Sequence, residues 1–202
     1  MSDIKLNFIN QSNDKNNSSV VIFQQNVATG FDEIAVAWKV IENCARLDNH
    51  PFTFPMDYTA NVEDSWGNPT SKIEVNTGSL YKTSMTPGGL TLAYATPATS
   101  INEIQVRHEL NKGAINENIF KDGKLLATKT AVTSMQKAVF EFKPSIWIGV
   151  VSGVGEGDIM NSAIIQSINT ELSLLGVQSA DIVMTGGGTK PFEFTLKNIV
   201  KA

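Results

Sequence analysis

A single cysteine, Cys44, excludes any intramolecular disulfide, so the fold must stand on packing alone. With no His or basic pair beside it, Cys44 reads as a small buried apolar side chain and not as a reactive thiol. Histidine is almost as scarce. His50 and His108 form no Cys/His pair and no His-x-x-x-His spacing, which leaves the usual zinc arrangements without ligands. Charge is sparse as well, at 18% of residues with a formal net charge of −4. Without an excess of cations to replace the counterions along a phosphate backbone, nucleic acid is excluded as a partner. No apolar run reaches the roughly 18 residues of a membrane span. The opening MSDIKLNFINQSNDKNN lacks the apolar core of a secretory signal. These absences predict a soluble, cytoplasmic chain.

What remains is an ordinary globular composition, 42% hydrophobic, with a surface that must rely on Asn, Thr, Ser and Gln. At 202 residues the chain can bury a sizeable core as one domain over 1–202, and no linker or internal repeat marks a boundary.

Strand signals run through most of it. Asp122-Gly123 suits the left-handed φ values of a tight hairpin turn. Lys137 to Phe142 alternates, with Ala138, Phe140 and Phe142 on the face to be buried. Ile146 to Val151 is almost wholly apolar and β-branched, which fits a strand covered on both faces. Ile4 to Ile9 and Val20 to Phe23 read as an opening hairpin. Ile34 to Ile41 leans to strand because β-branched residues dominate it. Pro51 and Pro55 around Phe52-Thr53-Phe54 suggest an edge strand. Turns recur every eight to twelve residues or so, the spacing of an antiparallel β-sandwich, jelly-roll-like or Greek-key. The one fork is 162–175. A short helix with Ser162 as cap and Gly176 as stop is possible there, but propensity favours strand.

Motifs that carry chemistry are few. Gly153-Val154-Gly155-Glu156-Gly157-Asp158 follows a buried-looking strand as a phosphate loop would. However, Asp158 stands where the dinucleotide fingerprint needs glycine, and two carboxylates repel phosphate. Glu156, Asp158 and Asn161 are the candidate metal ligands, all oxygen donors and so suited to calcium if any cofactor is held. Asp14, Asn16 and Ser18 begin like an EF-hand loop, which fails at Ser19 and Gln25. Trp66 and Tyr58, with Asp64 and Asn68 beside them, are the candidate ligand-binding residues, since an exposed ring can stack on a sugar or enter a lipid interface.

The expectation is therefore a non-enzymatic β-sandwich that binds or self-assembles as a homo-oligomer, with a glycan or a lipid as ligand. Open strand edges motivate the self-association. Two alternatives are a pore-forming protein that uses Ile146 to Leu175 as a movable part, and a carboxylate-dependent hydrolase.

Overall fold

The computed structural model describes residues 3–15, 18–28 and 35–202. The fold is all-β, with one short helix, Ser162–Ser167. It divides into two compact units: Met1–Gln24, Val36–Met56 and Pro144–Ala202 form the first, and Gln25–Ala35 with Asp57–Lys143 the second. The chain changes unit after Gln24, Ala35, Met56 and Lys143. Because each passage is a direct step from one element to the next, no Gly- or Ser-rich linker signals the division in the sequence.

The first unit contains two four-stranded sheets. In one, the order is Lys190–Lys201, Val177–Gly187, Ile4–Asn10, Asn49–Phe54. Val177–Gly187 and Ile4–Asn10 run parallel there, and the other pairings are antiparallel. The second sheet is antiparallel throughout: Thr170–Ser173, Ser145–Val150, Val20–Phe23, Lys39–Ile41. Its central strands are the most apolar in the chain, and all of Val20–Phe23 is buried, as is expected of strands covered on both faces. Phe8, Ile22, Trp38, Phe54, Ile146 and Ile148 make the core. Trp38 meets Phe54 edge-on at 5.4 Å between ring centroids.

The second unit repeats this plan. One sheet has the order Lys137–Glu141, Glu103–Arg107, Ser79–Thr86, Gly89–Pro97, with a parallel pair again in the middle. The other is antiparallel: Lys124–Thr133, Ala114–Lys121, Tyr58–Glu63, Ile73–Val75. Ile104, Val106, Ile119, Leu126 and Phe140 fill its interior.

The two topologies are the same. Apart from the two short strands Ala35–Val36 and Ile159–Met160, the chain reads as quartets of strands. The first quartet is Ile4–Asn10, Val20–Phe23, Lys39–Ile41 and Asn49–Phe54. The third is Glu103–Arg107, Ala114–Lys121, Lys124–Thr133 and Lys137–Glu141. In both, strand one pairs with strand four and strand two with strand three. The second quartet is Tyr58–Glu63, Ile73–Val75, Ser79–Thr86 and Gly89–Pro97. The fourth is Ser145–Val150, Thr170–Ser173, Val177–Gly187 and Lys190–Lys201. Both are two successive hairpin pairs. Quartets one and four build the first unit, and quartets two and three the second. In each, the same two ladders join the quartets, one parallel and one antiparallel. The chain is thus an internal repeat, contrary to the reading of the sequence. The copies share only short echoes, Ile22-Phe23 with Ile119-Phe120 and the turns Met85-Thr86-Pro87-Gly88-Gly89 with Met184-Thr185-Gly186-Gly187-Gly188.

Several local expectations are met and others corrected. Asp122 and Gly123 have φ of 53° and 72°, the left-handed pair that a two-residue hairpin needs. Asn49–Phe54 is an edge strand, where Pro51 is tolerated. Ile4–Asn10 and Val20–Phe23 are not a hairpin but lie in different sheets, each between one partner from the first quartet and one from the fourth. In 162–175 both readings hold in part. Asn161, not Ser162, caps the helix through its side-chain oxygen, which accepts from Ile164 N at 2.9 Å, and Thr170–Ser173 is strand. Ile34, Asn16 and Asn17 lie outside the described residues.

Candidate functional site

One end of the second unit carries three exposed apolar side chains on turns that are themselves held firmly; Ile101, 84% exposed, lies on another turn, between Gly89–Pro97 and Glu103–Arg107. Ser79–Thr86 and Glu103–Arg107 run parallel and finish at this end, where Thr86 pairs with Gly89 and Arg107 with Lys137. Ala114 pairs with Thr133 and Asn116 with Glu63, so the chain that leaves Tyr58–Glu63 turns here as well. Three turn tips result, carrying Trp66, Met85 and Met135.

The Trp66 turn is fixed by Asp64. Its Oδ1 accepts from Trp66 N and Asn68 N, both at 2.9 Å, and its Oδ2 accepts from Asn68 Nδ2 at 2.9 Å. Asp64 N donates to Asn68 O, and Gly67, with φ of 83°, donates its N–H to Asp64 O. The Asn68 side chain, then its backbone N–H, holds the Asp64 carboxyl below the usual carboxylate range. The indole is left outside: Trp66 is 87% exposed and does not pack over its own turn. Met85 is 64% exposed and Met135 71%, the latter with φ of 66°.

Beneath the tips, buried polar groups tie the loops together. His108 is fully buried. Its Nδ1 accepts from Leu110 N at 3.2 Å, so Nε2 carries the proton and donates to Gly113 O at 3.2 Å. Both ring nitrogens are thus satisfied within the core. Met135 N donates to His108 O and His108 N to Gln136 O. Glu109 N donates to Thr83 Oγ1 at 3.0 Å. An open groove lies alongside, lined by Thr83, Ser84, Met85, Glu109, Leu110 and Lys112.

Tyr58 does not belong to this end. It starts the strand whose other end leads to Trp66, and it stacks on Phe142 at 5.5 Å with the Lys121 ammonium 4.5 Å from its ring. Burial pushes its phenol up to about 12. Of the four expected ligand-binding residues the structure therefore brings together Trp66, Asp64 and Asn68, and separates Tyr58, because it stands at the opposite end of Tyr58–Glu63.

Glu156, Asp158 and Asn161 each spend an oxygen on a backbone N–H. Asp158 Oδ2 accepts from Gly155 N at 2.7 Å, Asn161 caps the helix, and Glu156 Oε2 accepts from Val40 N at 3.4 Å. Among the described residues no group of three His, Cys, Asp or Glu is placed to hold a metal ion. Asp14 likewise spends an oxygen on Ser18 N at 2.7 Å. The loop after Ser145–Val150 is the topological counterpart of the Trp66 loop. There Val154 is buried, and the exposed apolar residue is Ile159 at 55%.

Two features escaped the sequence. Met135 in a polar turn is a legible oddity in hindsight. Glu117 is fully buried between Ile115 and Ile119, because the period-two alternation of the strand puts all three on one face, the bulge beside them lying in the partner strand. Burial raises its carboxyl well above the ordinary range, only partly offset by the Ala138 N–H. It is sealed from solvent and therefore from any substrate. Among the described residues no helix is long and apolar enough to cross a membrane. No protein-family model, curated protein sequence or solved structure is measurably similar to this chain.

Proposed function

We propose that this chain is a non-enzymatic β-sandwich binding protein whose loop end on the second unit docks onto a lipid surface. The observation that carries the reading is Trp66, 87% exposed on a turn that its own hydrogen bonds hold rigid. A large ring held in water by a preorganised turn loses little conformational freedom on binding. Tryptophan also favours the headgroup level of a bilayer, where its apolar body and polar N–H are both accommodated.

Lipid is favoured over glycan by what surrounds the ring. A sugar site needs free polar partners beside the stacking face, but both Asp64 oxygens and the Asn68 amide N–H are engaged in the turn. The neighbouring tips are methionines, which gain from acyl chains and have little to offer a hydroxyl. A pore-forming use of Ile146 to Leu175 is less favoured. That segment supplies a central strand paired to Val20–Phe23 and Thr170–Ser173, so releasing it dismantles the sheet.

Sedimentation with phosphatidylcholine vesicles, with and without phosphatidylserine, tests the reading. Wild-type protein is expected to pellet with vesicles, and Trp66→Ala to bind about tenfold more weakly, equivalent to about 1.4 kcal/mol. Equal binding by both proteins, or binding to a glycan array and not to vesicles, overturns it. Release of a vesicle-trapped dye would instead favour the pore-forming alternative.

A further inference from the structure

The repeat has a consequence for partners that does not depend on the lipid reading. Every ladder that joins two quartets joins the first to the fourth or the second to the third. Among the described residues no strand ladder links the first quartet to the second, or the third to the fourth, although these are neighbours in sequence. Each half of the chain, quartets one and two or three and four, therefore completes neither unit alone. The second unit closes within its continuous stretch Asp57–Lys143, apart from Gln25–Ala35, whereas the first is assembled from two arms at opposite ends of the described chain.

We infer that these two arms, residues 3–56 and 144–202, are exchangeable between copies, so that a second copy of this chain is a partner that the fold itself recognises. In such an assembly the first quartet of one molecule takes the fourth quartet of another. It uses the same parallel ladder of Ile4–Asn10 on Val177–Gly187 and the same antiparallel ladder of Val20–Phe23 on Ser145–Val150. Nothing new has to be buried, since the contacts are those already formed within one chain, which is why exchange of identical elements is a low-cost route to oligomers. Reciprocal exchange closes a dimer, and one-way exchange propagates head to tail.

A covalent reporter reads which chain supplies the arm. Asn7 and Asp181 are opposite each other in the parallel ladder, and Asn7 Nδ2 donates to Asp181 Oδ1 at 3.2 Å. Full-length Asn7→Cys/Asp181→Cys protein is refolded at a series of concentrations, oxidised after refolding, and run under non-reducing conditions. Cys44 is buried, and burial first, then Asp48, raises its thiol, so it stays protonated and does not compete. The expected result is a monomeric, internally bridged band at high dilution, with covalent dimers and larger species growing as the concentration at refolding rises. A fully oxidised product that stays monomeric at every concentration overturns the inference. As a check that needs no new cysteines, two differently tagged wild-type chains are unfolded, mixed and refolded at high concentration. Capture of one tag must bring the other with it, and pure single-tag species again overturn exchange.

Discussion

At the scale of single residues, the buried Glu117 is the sharpest lever on stability. Its folded-state carboxyl is raised above the unfolded value by burial, so protonated Glu117 suits the core and the ionised form opposes it. The stability that goes with the neutral side chain is fully present below the unfolded pKa and is lost as pH rises through the folded one. Other carboxylates titrate in the same range, so the comparison is with Glu117→Gln, which keeps the shape without the charge. Urea unfolding at pH 5 and pH 7.5 is expected to show the variant gaining on wild type at the higher pH. An unchanged difference between the two would contradict this. A second residue prediction concerns Gly186, at φ of 84° with the position of a Cβ only 1.9 Å from Pro191 O. Gly186→Ala is expected to cost more than about 1 kcal/mol in thermal unfolding, because the strained φ and the backbone clash act together.

At the scale of elements, the short helix and the turns decide what local chemistry is available. Asn161→Ala removes the cap of Ser162–Ser167 and is expected to cost about 1 kcal/mol, read by urea unfolding. Millimolar calcium is expected to leave the melting temperature unchanged, since Glu156, Asp158 and Asn161 spend oxygens on three different backbone N–H groups. A rise in melting temperature with calcium would mean that these oxygens can be recruited. Much of this level was legible in the sequence. Asp122-Gly123 dictates its hairpin because a two-residue turn needs two left-handed residues, and the apolar, β-branched run Ile146 to Val151 fits the covered strand found at Ser145–Val150. The fork at 162–175 misled because propensity speaks for strand across Ile, Ser and Thr, while one cap hydrogen bond from Asn161 suffices to start a turn of helix. Trp66 was legible as a candidate, but its exposure was not. The Asp64 carboxylate that turns the backbone outward acts through geometry that composition does not encode.

At the scale of the whole molecule, the repeat was hidden because the quartets that make a unit are not neighbours in sequence. Burial constrains the inward positions only to be apolar, so Leu6 and Val106, or Ala180 and Tyr81, stand at matching ladder positions with little identity. Pairing pattern survives where identity does not. The two counterpart loops differ in what they expose: Trp66 is 87% exposed, whereas the other loop buries Val154 and leaves Ile159 partly exposed. The central claim, that the exposed tip meets lipid, is tested most directly by tryptophan emission of the full-length protein titrated with phosphatidylcholine vesicles containing brominated acyl chains. A blue shift and quenching are expected in wild type, with both lost in Trp66→Phe while far-ultraviolet circular dichroism is unchanged. Quenching that persists in Trp66→Phe, or its absence in wild type, would contradict it.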